Sequence, residues 1–227
     1  MRVLIFGTVF AATEEQAELA RLWGHMHSVL NQECDLLLVD SDSPHLIADD
    51  FAPVIQLGDN IGHLSRGGAD GWGRAFCTGL NYAIDRRYDY VVHIEGDSLC
   101  SLDVARVCRT MSDHDLCAVG VPARGLQREE KGWIETGLMF MDVDYLEDNR
   151  IVQQYRWQDH SYKNYPQTPE FWLKQLFGSN LRMKNNWRTL RDDCGILTVD
   201  SVRNYDWITH STPEIYAAFS EYALEDA

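Results

Sequence analysis

Two acidic residues, separated by one residue, directly follow a mostly apolar run. Glu95 and Asp97 are separated by Gly96 and follow the segment 90–94. In an extended chain alternate side chains point to the same face, so both carboxylates would face one bound ion or substrate. Hard divalent cations such as Mg²⁺ and Mn²⁺ prefer such oxygen ligands and usually complete their coordination with substrate phosphates. A tight turn with a helix cap is the competing interpretation of this pair.

Further acidic and amide side chains follow two earlier apolar runs. In a parallel sheet the C-terminal ends of the strands share one edge, and open α/β sheets bind ligands there. We therefore expect the polar residues after the second, third and fourth predicted strands to converge, although capping alone could explain each pair. These residues are Asp40, Asp42, Asp59, Asn60, Glu95 and Asp97.

The elements that must position these residues alternate between short apolar runs and helical patterns, which is typical of an α/β protein with a mostly parallel central sheet flanked by helices. The predicted strands cover residues 3–7, 35–40, 53–57, 88–94, 116–121, 134–143 and 181–184. The predicted helices cover residues 14–30, with Thr13 as the cap, and residues 72–84, 102–111 and 168–177, with a short helix after residue 143 and a last helix from Pro213. No repeat or linker divides the sequence, so one domain over residues 1–227 is expected.

Charge and cysteine usage exclude some classes of function. The sequence has 227 residues with 20 Lys and Arg against 35 Asp and Glu, a formal net charge of −15. A nucleic-acid partner is not expected, because such proteins neutralise phosphates with basic patches. The six cysteines form no CxxC pair, which favours reduced thiols and a cytoplasmic protein. No apolar run is long enough for a transmembrane segment.

Several motifs of the first hundred residues together resemble the nucleotide-sugar half of GT-A-fold glycosyltransferases, particularly the large family 2 group. The family has an Asn-x-Gly loop and a Gly-x-x-x-Ala helix before a strand that ends in a DxD-type metal motif. The matching segments here are Ser28–Gln32, Val39–Asp40, Leu57–Gly62, Gly71–Ala75, Gly79–Ala83 and Tyr90–Asp97. The resemblance implies a single GT-A domain with a Rossmann-like donor half, about 1–100, and an acceptor half, about 101–227.

Donor and metal roles follow from the resemblance. It implies that Asp40 contacts the nucleotide, that Asp97 ligates Mn²⁺ or Mg²⁺ on the diphosphate, and that Glu95, in place of the first Asp of DxD, supports donor or metal. The family's helix Arg is missing, so phosphate contacts pass to Arg74 or Arg66. The donor-binding residues expected in full are Asp40, Asp42, Asp59, Asn60, Arg66, Arg74, Glu95, Gly96 and Asp97.

The C-terminal half resembles the family less closely. Inverting members place an acidic residue at the N-terminus of a helix that ends in Gly, which makes Glu170 the candidate general base, with Asp192 and Asp193 in reserve. A simple favourable interaction of Glu170 with the helix dipole is the alternative. His210 lies where several members offer a late metal ligand, although a lone His is more often structural.

The segment around Glu135 resembles the acceptor side of the family. Trp133, Glu135 and Thr136 are therefore candidate acceptor contacts, with core packing as the alternative for Trp133. The function predicted is a metal-dependent transfer of a sugar from a nucleotide diphosphate to a hydroxyl acceptor, and Glu170 as base favours inversion. A nucleotidyltransferase is the second interpretation, but only one Gly and no basic residue follow the first strand. A catalytically silent glycan- or protein-binding module is the third.

Overall fold

The computed structural model builds a mixed α/β architecture from two sheets and seven helices formed by the residues it describes. Those residues are 1–45, 50–62, 70–112, 118–122, 134–159, 169–192 and 195–225. The strands are β1 (Val3–Val9), β2 (Asp35–Asp40), β3 (Val54–Gln56), β4 (Tyr90–Ile94), β5 (Ser98–Cys100), β6 (Ala118–Pro122), β7 (Ile134–Asp142), β8 (Leu181–Met183), β9 (Thr189–Arg191) and β10 (Trp207–Thr209). The helices are α1 (Glu14–Leu30), α2 (Gly71–Asp85), α3 (Val104–Ser112), α4 (Val143–Asp148), α5 (Ile151–Tyr155), α6 (Pro169–Phe177) and α7 (Pro213–Leu224).

The central sheet has seven strands in the order β3-β2-β1-β4-β7-β6-β8. The first four of these are mutually parallel, and β6 and β8 are parallel to each other. The strand β7 is antiparallel to both of its neighbours, β4 and β6. The prediction of a mostly parallel sheet flanked by helices is therefore confirmed. Because β7 runs the opposite way, its first residues lie at the edge where β1 and β4 end.

A second, three-stranded sheet has the order β5-β10-β9. The residue pairing places Thr209 opposite Ser98 on one side and opposite Arg191 on the other. Asp97, which precedes β5, and His210, which follows β10, therefore flank the same edge as Arg191. The sequence analysis predicted none of these three short strands.

Local signals explain the two helices that flank β1. Thr13 caps α1 in a capping box with Gln16, as the Thr13 cap in the sequence predicts. The small-residue face of α2 lets that helix lie close to the sheet, because a Cβ atom on Gly79 would lie 2.2 Å from a Phe6 ring carbon. The apolar core fills both faces of the central sheet, with Trp23 of α1 on one and Phe76 of α2 on the other.

The described cysteines form no disulfide bond, and the described helices fall short of the requirements of a membrane span. Cys34, Cys77, Cys100 and Cys108 are free thiols. No helix in the described ranges combines the length and the apolarity needed to cross a membrane.

Candidate active site

A cavity of about 520 Å³ opens at the edge of the central sheet where β1 and β4 end. The first residues of α2 and α6 also line it, and the amino ends of helices favour negative charge. Four carboxylate side chains line the cavity: two from the turn between β4 and β5, one from the start of β7 and one from the start of α6. They belong to Glu95, Asp97, Glu135 and Glu170.

Glu95 follows the last residue of β4, and hydrogen bonds hold both its backbone and its side chain in place. Its N–H donates to the Gly137 carbonyl over 3.1 Å, and its Oε1 accepts the indole N–H of Trp72 over 2.8 Å. Burial raises the pKa of the Glu95 carboxyl well above its usual range. The nearby carboxylates of the same cavity, Asp97 first, raise this pKa further, and the Trp72 hydrogen bond lowers it. Ionisation of all the carboxyl groups in the cavity is therefore unfavourable unless a cation is bound.

Asp97 is fixed through its backbone and through the second sheet. Its carbonyl accepts a hydrogen bond from the Tyr216 hydroxyl of α7. The next residue, Ser98, donates its hydroxyl to Thr209 Oγ1 over 2.7 Å, and this buried bond joins β5 to β10. His210 then follows with a left-handed backbone, φ 58°, and lines the cavity. Asp97 and His210, two of the three predicted metal ligands, are thus brought to one cavity by the unpredicted sheet.

Glu170 is the second residue of α6 and lines the cavity. Its Oε2 is buried and has no hydrogen-bond partner among the described residues. A buried carboxylate oxygen with spare acceptor capacity is suited to receive a proton from a bound hydroxyl group. The position agrees with the predicted base, and its catalytic role stays a prediction.

Glu135 and Thr136, the predicted acceptor contacts, both line the cavity near the start of β7. Glu135 Oε1 lies 3.5 Å from Nη1 of Arg191, at the end of β9. Arg191 also lines the cavity, so a permanently cationic group faces the four carboxylates. The sequence analysis missed Arg191, because β9 has no clear apolar alternation and pairs with β10 far along the chain.

A buried histidine sets the hydrogen-bonding state of Thr8 at the end of β1. Burial lowers the pKa of His93 to about 4, so its ring is neutral at pH 7. The Thr136 carbonyl lies 2.7 Å from Nδ1 and can only accept, so Nδ1 carries the ring hydrogen and donates it there. Nε2 then accepts the Thr8 hydroxyl hydrogen over 3.2 Å. Thr8 lines the cavity, and its hydroxyl oxygen has only acceptor capacity left.

The predicted donor-binding residues are only partly brought together. Asn60 and Gly96 line the cavity with Glu95 and Asp97. Asp40 does not line it: its side chain is 1% exposed and accepts hydrogen bonds from the backbone N–H and the hydroxyl of Ser43. Burial raises the pKa of the Asp40 carboxyl.

Asp42, Asp59 and Arg74 also lie outside the cavity lining. Asp42 is exposed with φ 62°. The Arg74 guanidinium forms an ion pair with Asp59 and donates to the Leu57 carbonyl over 3.0 Å, so it holds the 57–62 segment on α2. The expectation that six strand-end residues converge is therefore corrected: three of them, Asn60, Glu95 and Asp97, meet at the cavity.

Three other predicted site residues, Arg66, Trp133 and Asp193, lie outside the described residues. Asp192 is described, and its carboxylate is already engaged. It is 3% exposed, accepts from the backbone N–H of Ile196 and Leu197, and accepts the Ser211 hydroxyl over 3.0 Å. It does not line the cavity, so Glu170 is the better-placed of the predicted bases.

The carboxylates of the cavity decide whether a metal ion fits. Among the described residues, no group of three or more His, Cys, Asp or Glu side chains is arranged to hold a metal. Mg²⁺-type ions are commonly held by one or two carboxylates and by substrate phosphates, without a complete protein cage. Asp97 and Glu95 supply two such carboxylates on one cavity wall, so the residues present fit an ion shared with a bound phosphate.

Comparison with known proteins establishes the fold. No family model and no curated protein matches the sequence. Among solved structures, an active-site mutant of LgtC is 11% identical with a TM-score of 0.60, over 92% of this chain and 86% of that one. The apo form of the glycosyltransferase GlyE of Streptococcus pneumoniae TIGR4 is 13% identical with a TM-score of 0.60, over 99% of this chain and 62% of that one.

A third solved structure matches nearly end to end. A glycosyltransferase involved in the glycosylation of the major capsid of PBCV-1 is 11% identical with a TM-score of 0.53, over 98% of both chains. At such identities the likeness shows the fold alone, and that fold is the GT-A fold of these glycosyltransferases. The predicted fold class is confirmed.

Proposed function

We propose that the protein is a metal-dependent glycosyltransferase that moves a sugar from a nucleotide diphosphate to a hydroxyl acceptor. One observation carries the proposal: Glu95, Asp97 and Glu170 line a single cavity at the strand ends of a GT-A fold. Two of these carboxylates suit a divalent cation and the third suits proton transfer. The site thus brings together the groups that cleavage of a sugar diphosphate and attack by a hydroxyl both require.

Asp97 and Glu95 are the residues that would hold Mn²⁺ or Mg²⁺, and the third predicted ligand, His210, lines the same cavity. Such an ion supplies charge neutralisation on the diphosphate as the glycosidic bond breaks. The Arg191 guanidinium adds a positive charge to the same cavity. A protein of net charge −15 otherwise repels a nucleotide diphosphate, so donor binding is expected to depend strongly on the metal and on ionic strength.

In the proposed reaction Glu170 accepts the proton of the acceptor hydroxyl. The acceptor oxygen forms a bond to the anomeric carbon, and the bond from that carbon to the diphosphate oxygen breaks with its electron pair left on the diphosphate. The products are the glycoside, the nucleoside diphosphate and protonated Glu170. A single displacement of this kind inverts the anomeric configuration, and retention would remove Glu170 from the base role.

We assign the donor to Asn60, Glu95, Gly96 and Asp97, and the acceptor to Glu135 and Thr136. All six residues line the cavity. The other predicted contacts keep their predicted roles but are not among the described residues that line the cavity. They are Asp40, Asp42, Asp59, Arg66 and Arg74 for the donor and Trp133 for the acceptor.

The test is a turnover assay with UDP-, GDP- and dTDP-sugars in Mn²⁺ or Mg²⁺, following release of the nucleoside diphosphate and transfer to simple glycosides. The wild-type protein should turn over at least one donor, and Asp97→Ala should abolish that turnover. Asp85→Ala, an exposed acid at the end of α2, is the matched control and should keep it. Absence of hydrolysis and transfer with every donor contradicts the proposal, and so does unchanged turnover in Asp97→Ala.

A further inference from the structure

We infer that Trp72 is a positioning residue for Glu95, fixing this carboxylate in one orientation at the cavity edge. The inference rests on the proposed function, since it assigns a role to Glu95 in holding the donor and its metal. It concerns a residue of α2 that has no other assigned part in the site. Three observations carry it: the hydrogen bond, the rigid setting of the indole, and the space beside Glu95.

The hydrogen bond has defined chemistry. The indole Nε1 of Trp72 lies 2.8 Å from Glu95 Oε1. An indole N–H donates and never accepts, so it can stabilise the ionised carboxylate without competing with it for a cation. This hydrogen bond anchors Oε1 and leaves Oε2 available for other contacts.

The indole itself is rigidly placed. Its ring stacks on Phe76 with centroids 4.8 Å apart and planes 13° apart, and it meets the edge of His93 at 5.6 Å and 83°. Phe76 and His93 are both fully buried. The N–H direction is therefore set by the core, and the Glu95 side chain must adapt to it.

Space for the second carboxylate oxygen comes from Gly137 on β7. A Cβ atom at Gly137 would lie 3.0 Å from Glu95 Oε2 and 2.9 Å from a ring carbon of Trp207. A side chain there would press on the carboxylate, whereas glycine leaves room for it. Trp72 thus anchors one carboxylate oxygen, and Gly137 leaves room for the other.

This arrangement explains why a glutamate is accommodated at position 95. Glutamate has one more rotatable bond than aspartate, so an untethered side chain would lose more conformational entropy on binding a ligand. Three other carboxylates line the same cavity and repel Glu95, which favours orientations turned away from them. The Trp72 hydrogen bond restricts the Glu95 side chain before any ligand binds, so less conformational entropy is lost on binding.

The test compares two tryptophan substitutions by Mn²⁺ binding to the full chain, with free Mn²⁺ measured by EPR. Trp72→Phe keeps a ring that stacks on Phe76 but removes the donor. Trp172→Phe is the matched control, because the Trp172 indole N–H has no hydrogen-bond partner among the described residues. Trp72→Phe should weaken Mn²⁺ binding by about tenfold, the scale of a hydrogen bond to a charged group, while Trp172→Phe should not change it. Replacement of Trp72 by benzothienylalanine, which has sulfur in place of N–H, repeats the test if the Phe variant unfolds.

A second readout does not depend on metal or activity. In protein labelled with ¹⁵N-tryptophan, Glu95→Gln should move the Trp72 indole signal, and Asp85→Ala should not. Wild-type Mn²⁺ affinity in the Trp72 variants, or an unmoved Trp72 signal in Glu95→Gln, overturns the inference. Failure of the wild-type protein to bind Mn²⁺ at all contradicts metal dependence instead, and the Trp72 signal then decides the positioning role alone.

Discussion

The hydroxyl of Ser98 donates to Thr209 Oγ1 across the second sheet, and this buried 2.7 Å bond joins the chain neighbours of Asp97 and His210, two of the three predicted metal ligands. Each ligand is the chain neighbour of one bonded residue. The relative position of Asp97 and His210 therefore depends on the pairing of β5 with β10, which join distant parts of the sequence.

Removal of this bond should cost stability. Ser98→Ala leaves the buried Thr209 hydroxyl without the Ser98 donor, and we expect a loss of about 1–2 kcal/mol in the free energy of unfolding. Urea denaturation measures this loss. The control is Ser179→Ala at an exposed position, which should change the free energy by less than about 0.5 kcal/mol. Equal stability of the two variants would show that the Ser98 bond does not hold the two strands together.

The isosteric change Glu170→Gln tests whether Glu170 acts as the general base. Loss of the proton acceptor should lower kcat for transfer by about 10²–10⁴-fold and leave KM for the donor nearly unchanged. Glu15→Gln is the matched control, since Glu15 also lies in the first turn of a helix but is exposed on α1. If Glu170 acts only on the helix dipole, both variants lose a few tenths of a kcal/mol of stability and neither loses kcat.

The cation facing the carboxylates should contribute to binding of the anionic product. Arg191→Gln removes a guanidinium from the cavity lining and should weaken the binding of UDP or GDP in Mn²⁺ by about tenfold. Arg182→Gln makes the same change of net charge at an exposed position of β8. Isothermal titration calorimetry measures both. Equal affinities in the two variants would assign Arg191 to its ion pair with Glu135 alone.

Stability should fall in acid partly through His27. Burial lowers the pKa of His27 to about 3 in the folded protein, against an ordinary value of 6.5. Between these pH values the unfolded chain binds a proton that the folded chain does not, so the free energy of unfolding falls as pH falls, by about 1.4 kcal/mol per pH unit. His27→Gln removes this contribution. Urea denaturation at about pH 7.5 and about pH 5, on either side of the ordinary histidine pKa, should therefore show a smaller loss in the variant than in the wild-type protein, and equal losses would contradict the buried neutral state.

The helices other than α5 and the long strands were predictable because their signals are local. Thr13 caps α1, Gly79 marks the face of α2 that lies on β1, and the apolar run before Glu95 marks β4. The second sheet was not predictable in this way. Its strands have three residues each, too few to show a period, and they form only because distant segments pair.

The site residues were likewise predictable only where their signals are local. Glu95 and Asp97 follow a recognisable strand, and Glu170 opens a recognisable helix, so all three were predicted and all three line the cavity. Asp40 was predicted from the same kind of signal but turns its carboxylate to Ser43, a choice that depends on the loop conformation. Trp72 and Arg191 gave no signal of their own, because their roles arise from the contacts with Glu95 and Glu135 across the fold.

Calorimetric titration of nucleotide sugars with and without Mn²⁺ tests the central claim most directly. The account predicts that at least one UDP-, GDP- or dTDP-sugar binds, that Mn²⁺ tightens its binding by about tenfold or more, and that Asp97→Ala removes this gain. Lack of binding by every donor in Mn²⁺, or the same affinity in EDTA as in Mn²⁺, would contradict a metal-dependent glycosyltransferase built on Glu95 and Asp97.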